Sequence, residues 1–246
     1  MVDELGDITG KTVIDIGCGT GELAIVLARR VGRGGKVIGV DPEDRRIAIA
    51  SQRAADHPEL RVSFFVGTAS DIVRIVDQQE VGQIDIVVMS SVLHWIEDKP
   101  AALRAIHSIL APGGMFGSSS GSGVKHPLEK KDNVLSQEPF RGYRKEGAAE
   151  FVSENELRAL LVNAGFRVDT LSHLDEMVEF DNGAAAMGWL NASAFGNFTH
   201  VEYLPPGLQA LATERIEEAY ATIADATGVT GFPVTMLIVT ASKNAV

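Results

Sequence analysis

The chain has 246 residues with 33 acidic and 22 basic side chains, a formal net charge of −11, and a length that suits one domain over residues 1–246 with a large core. Phosphate-backbone binding rests on clustered Lys and Arg, so this scattered basic complement excludes a nucleic-acid partner, and the lone Cys18 excludes an internal disulfide. No apolar run approaches the roughly 20 residues of a membrane span, and the acidic start Met-Val-Asp-Glu-Leu lacks the basic-then-apolar order of a secretion signal, so a cytoplasmic, membrane-free protein is expected.

Residues 13–16 form a short apolar run interrupted by Asp15, the pattern of a strand covered on both faces. Gly17, Gly19 and Gly21 follow at every second position. That spacing predicts a sharp turn with bare amides facing a ligand and a helix starting near Gly21, whose positive dipole end would welcome a carboxylate or phosphate. Leu23, Ala24, Leu27, Ala28 and Val31 then recur at helical spacing until Gly32. Strands are expected at 36–40, closing on Asp41, at 62–66 and at 84–89, with helices after Pro42, at 71–77 and at 100–110. A fifth strand is expected to begin at 115–117, past Ala111-Pro112-Gly113-Gly114.

This strand–helix alternation predicts a parallel sheet with crossover helices. From Ser118 onward the pattern dissolves into Gly, Ser and mixed charge, which predicts a lid or insertion over about 118–152. Ser153 with Glu156 is a capping-box start for a helix that Gly165 ends. A sixth strand at 166–180, helical stretches at 183–194 and 208–226, and a last strand at 234–241 complete the pattern.

The glycine spacing favours a single nucleoside over a dinucleotide, because Glu22 stands where the G-x-G-x-x-G pattern wants glycine. Asp41, at the end of the second strand, is placed to accept hydrogen bonds from ribose hydroxyls, with Pro42 beside it. Taken together, D-I-G-C-G-T-G, V-I-G-V-D-P, G-T-A-S-D-I, I-D-I-V-V-M-S-S and L-A-P-G-G resemble, in order and spacing over residues 11–117, the successive motifs of class I S-adenosylmethionine-dependent methyltransferases.

The resemblance implies an α/β, three-layer Rossmann-like fold with a seven-stranded, mostly parallel sheet. The last strand would run antiparallel between the fifth and sixth, beside a partly helical cap. It implies S-adenosyl-L-methionine as cofactor and S-adenosyl-L-homocysteine as product. Asp15 and the turn formed by Gly17, Cys18, Gly19, Thr20 and Gly21 would hold the methionine tail, Asp41 the ribose and Thr68 with Ala69 the adenine, with Ser90 below the sulfonium. Many members carry an acid at the position of Thr68, and Asp71 stands nearby as its substitute. Cys18 is a small residue whose amide, not its sulfur, is expected to bind.

Ser90-Ser91-Val92-Leu93-His94-Trp95 leaves the fourth strand at its carboxyl end, where open α/β sheets place ligands. His94 is therefore the candidate general base and Trp95 an acceptor contact, against the plainer reading that both open a helix and close the cofactor pocket. The Ser90 to Trp95 run, the helix at 154–164 and Gly188-Trp189-Leu190 carry a thinner similarity to the methyltransferases of trans-aconitate and of carrier-bound malonyl groups, which implies a small carboxylic acid or polar metabolite as acceptor and a helical substrate cover over about 181–230. Phe140, Arg141, Tyr143 and Arg144 could clamp its carboxylate. No metal-ligand spacing and no phosphate loop is present, so no metal is expected. The expected activity is methyl transfer to oxygen, a carboxylate or hydroxyl, of a small molecule. The alternatives are transfer to nitrogen or carbon, or a catalytically silent cofactor-binding relative.

Overall fold

Apolar runs and amphipathic stretches yield, in chain order, β1 (Thr12–Ile16), α1 (Glu22–Val31), β2 (Lys36–Asp41), α2 (Asp44–Ala55), β3 (Val62–Val66), α3 (Ile72–Gln78), β4 (Ile84–Ser90), α4 (Lys99–Ile109) and β5 (Leu110–Gly121). After these come α5 (Leu128–Leu135), α6 (Glu154–Asn163), β6 (Arg167–Phe180), α7 (Gly183–Ser193), α8 (Pro206–Ala221) and β7 (Thr230–Ser242). The structure is a computed structural model, and it describes every residue except Glu80, 123–127, 144–149, 194–200, Glu202, Tyr203, 223–229 and Val246.

The seven strands lie in one sheet in the order β3-β2-β1-β4-β5-β7-β6. β1 pairs in parallel with β2 and β4, β2 with β3, and β4 with β5. β7 runs antiparallel between β5 and β6, as the resemblance implied. Strand alternation sorts the side chains into two layers. Ile14 and Ile16 join Met89, Leu103, Phe116 and Leu157 on one face, while Val13 joins Leu27, Val37 and Val88 on the other.

One expectation is corrected here. β5 starts at Leu110, through the Pro-Gly-Gly stretch that reads as a helix stop, and continues to Gly121. Ser118, Ser119 and Ser120, read from sequence as the opening of a lid, are therefore strand residues. Ser118 and Ser120 are buried, and Ser119 lies opposite Ser90 in the β4–β5 register. Serine is weakly strand-forming by type, and burial between layers overrides that preference.

The chain divides into two compact units. The first comprises Met1–Ser120, Phe151–His173 and Leu237–Val246, and the second Gly121–Glu150 and Leu174–Met236. In the first, the Ser153–Glu156 capping box opens α6, and Gly165, at φ +97°, follows its end. Asp98 caps α4 by accepting from the Ala101 amide at 2.8 Å. The other end of α4 is held by Lys243, whose ammonium donates to the carbonyls of His107 at 2.9 Å and Leu110 at 2.7 Å. A cation on a helix C-terminus satisfies otherwise unpaired carbonyls and complements the dipole. Lys243→Met is expected to cost about 1–2 kcal/mol, read as a lower urea midpoint with an unchanged slope.

In the second unit, α8 packs against α5 and α7. Phe140 is 1% exposed among Leu204 and Ala212, with the Arg215 guanidinium 5.3 Å from its ring centroid. Phe140 is thus a core residue there and not an acceptor clamp. Among the described residues, no helix is long and apolar enough to cross a membrane.

Candidate active site

The turn between β1 and α1 takes the shape its glycines allow. Gly17, Gly19 and Gly21 have φ of 71°, 55° and 87°. At Gly17 there is a second reason for glycine, because a Cβ there would stand 2.2 Å from Val92 Cγ2. At Gly19 a Cβ would meet nothing within 4 Å, so only the left-handed backbone requires it.

The expectation of bare amides in this turn is corrected at Gly17, Cys18, Gly19 and Gly21. The Gly17 and Cys18 amides both donate to the Val40 carbonyl, at 2.7 and 3.1 Å, the Gly19 amide donates to Asp41 Oδ2 at 3.0 Å, and the Gly21 amide to the Cys18 carbonyl at 3.0 Å. Buried amides need partners, and the end of β2 supplies them. Sequence spacing could not show that β2 ends against the turn. The Cys18 thiol is buried and pushed far above its ordinary value, by burial first and then by the charges of Asp15 and Asp41, which leaves it unreactive.

Two acids lie beneath the turn. Asp41, 2% exposed, accepts from Gly19 and, through Oδ1, from the Glu43 amide at 3.0 Å, with the Arg46 guanidinium 3.8 Å from Oδ2. A carboxylate offers about four lone-pair sites, so two amides leave capacity for hydroxyl donors. Asp15, 1% exposed, sits between Gly39 of β2 and Val88 of β4 in register, and its Oδ2 has no hydrogen-bond partner. Burial, and secondarily the charge of Asp41, raises its pKa from 3.8 to about 8. The folded chain therefore holds a proton there that the unfolded chain has lost, and stability falls as pH rises through that window.

Sequence reading missed the support that α2 gives this turn. Arg53 donates to the Thr20 carbonyl at 2.6 Å and pairs with Glu22, which accepts from the Thr20 hydroxyl at 2.7 Å. Arg46, Ala50 and Arg53 recur at helical spacing, and all three meet the turn or Asp41: Ala50 Cβ would lie 3.0 Å from a Cβ on Gly21. That spacing was a readable signal.

A cleft of about 690 Å³ opens at the carboxyl ends of the strands. Gly17, Pro42, Thr68, Ala69 and Trp95 all line it, so the structure brings these predicted residues together. Ile96, Glu97 and Pro100 also line it and were not foreseen, since their segment reads only as a helix start. Asp71, the suggested substitute for the acid that Thr68 replaces, accepts from the Thr68 amide at 3.0 Å and hydroxyl at 2.8 Å, and from Arg74 at 2.9 Å. Arg74 foremost, then Thr68, holds its carboxyl down at about 2.

At the end of β4, Ser90 Oγ lies 3.2 Å from Ser119 Oγ. Ser91 has φ +58°, the sole positive value for a non-glycine among the described residues, and its amide donates to the Ser119 carbonyl at 2.8 Å. His94 is 5% exposed, with Nδ1 3.0 Å from Ser120 Oγ and its ring stacked on Phe151 at 4.7 Å between centroids and 5.1 Å from that of Trp95. Arg141 and Tyr143 occupy a single 3₁₀ turn of the second unit and are exposed, while Arg144 lies outside the described residues.

A seven-stranded sheet with a reversed last strand, a left-handed glycine turn after its first strand and an acid closing its second define a class I methyltransferase. Residues 8–178 match the family model described as Methyltransferase domain, and the chain belongs to that family of S-adenosylmethionine-dependent enzymes. It is 28% identical over 179 residues to the demethylmenaquinone methyltransferase of Lactococcus lactis, covering 66% of this chain and 68% of the relative. Among solved structures it resembles the YcgJ protein of Bacillus subtilis, with 18% identity, TM-score 0.66, and 99% and 96% of the two chains covered. It also resembles the geranyl diphosphate C-methyltransferase of Streptomyces coelicolor, solved with S-adenosyl-L-homocysteine, at 15% identity, TM-score 0.58, and 98% and 73% coverage.

Proposed function

We propose that this chain transfers a methyl group from S-adenosylmethionine to an oxygen of a small-molecule acceptor, a hydroxyl or carboxylate. One observation carries the cofactor assignment: Asp15 is a buried carboxyl with an oxygen lacking a partner, directly under a turn that only glycines can make. A buried acid calls for a cation, and the ammonium of a methionine tail is one. Asp15 and the turn at 17–21 hold that tail, Asp41 with Pro42 holds the ribose, and Thr68 with Ala69 flanks the adenine, with Ser90 beside the reacting end.

When bound, S-adenosylmethionine supplies a methyl group activated by its sulfonium. The remaining work of this chain is to align the acceptor and exclude water. Trp95 and Ile96 give the cleft an apolar wall. A hydroxyl acceptor must also lose a proton, and His94 is the base, oriented by Ser120. Similarity to the demethylmenaquinone methyltransferase of Lactococcus supports a panel of acceptors headed by quinones, followed by small acids and amines.

Titration calorimetry with S-adenosylhomocysteine, then turnover of S-adenosylmethionine with that panel, tests the reading. Binding and release of S-adenosylhomocysteine with a hydroxyl or carboxylate acceptor are expected. For a hydroxyl acceptor, His94→Ala removes the low-pH limb of the rate profile. Absence of binding, or binding without turnover across the panel, would overturn it.

A further inference from the structure

We propose that cofactor capture at this site expels one proton from Asp15, so that the chain distinguishes ligands carrying the methionine amine from those lacking it in a pH-dependent way. This rests on the cofactor reading above. The two acids under the glycine turn are unequally served. Asp41 has two amide donors and a guanidinium beside it, whereas Asp15 Oδ2 has none of these.

Among the described residues, burial and the like charge of Asp41 dominate the surroundings of Asp15. In register, β2 offers Gly39 and β4 offers Val88, neither of which ionises. The end of β2 contributes Asp41, a like charge, and the turn contributes the neutral thiol of Cys18. From α2, Arg46 is directed to Asp41. Two carboxyls in one dry site do not both ionise, and the proton resides on the one without donors; burial and Asp41 accordingly raise Asp15 to about 8.

An ammonium seated against Asp15 supplies the missing cation. The carboxylic acid then becomes a carboxylate, its O–H bond breaks, and the proton goes to solvent, with the ligand amine keeping its own three protons. A nucleoside without the amine leaves the Asp15 proton in place. Linkage turns this into a slope: affinity for an amine-bearing ligand rises about tenfold per pH unit below the pKa of the empty site, and affinity for the tail-less ligand stays flat.

The test is titration calorimetry of the full chain with S-adenosylhomocysteine and, separately, 5′-methylthioadenosine between about pH 6 and 7.5, in two buffers of different ionisation enthalpy. Expected are release of about one proton and a rise in S-adenosylhomocysteine affinity of about 30-fold across the range, with 5′-methylthioadenosine unaffected. Asp15→Asn should abolish the slope. Equal affinity for S-adenosylhomocysteine at all pH values, or the same slope for both ligands, refutes proton expulsion while leaving the cofactor assignment standing. Failure of both ligands to bind removes the cofactor assignment and the inference with it.

Discussion

Gly17→Ala should cost about 2–4 kcal/mol of stability and remove measurable cofactor binding. Two effects add. The first is the left-handed backbone at φ 71°, which charges any L-residue about 1–2 kcal/mol. The second is contact: the new Cβ would lie 2.2 Å from Val92 Cγ2 and 2.9 Å from Cγ1. Val92 opens the short turn that carries His94 and Trp95, so relief of that clash moves the end of β4 and the cleft wall together. The double variant Gly17→Ala with Val92→Ala separates the two effects. It should recover the steric part and retain the backbone part, leaving about 1–2 kcal/mol by urea unfolding. A single variant less than about 1 kcal/mol below the parent would show that the turn accommodates a side chain.

Asp41→Ala should weaken S-adenosylhomocysteine binding by about 1–3 kcal/mol, or about 5- to 150-fold. In the folded chain Asp41 has two tasks, because its carboxylate accepts from the Gly19 and Glu43 amides as well as facing the proposed ribose position. Truncation strands both amides, and a further stability loss of about 1–3 kcal/mol follows. It also removes a like charge from Asp15, so the proton release proposed above moves to lower pH. Unchanged affinity by calorimetry would remove Asp41 from ribose recognition.

The sequence carried the architecture far. Period-two and period-3.6 runs located β3 at 62–66 to the residue, and the paired Ser153 and Glu156 located the start of α6. Those signals are local and chemical. The misreadings were all non-local. The serines of β5 look like loop by type, and burial against β4 and His94 made them strand. The turn amides look free until β2 closes on them. Thr68 and Asp71 were legible as a pair of polar residues three apart, but not as a closed capping box that ties the carboxylate to Thr68. The unequal surroundings of Asp15 and Asp41, on which the chemistry turns, come from three separate segments and have no signature in any one of them.

The strand order has a consequence for synthesis on the ribosome. β7 emerges after β6, yet it belongs in the interior of the sheet, between β5 and β6. Until it arrives, a growing chain that has already paired β1 to β5 presents a long row of unsatisfied amides and carbonyls along β5, the kind of margin that recruits foreign strands. Docking of β7 therefore fills an internal slot rather than adding an outer layer. Lys243, just past that strand, fastens the finished slot to α4.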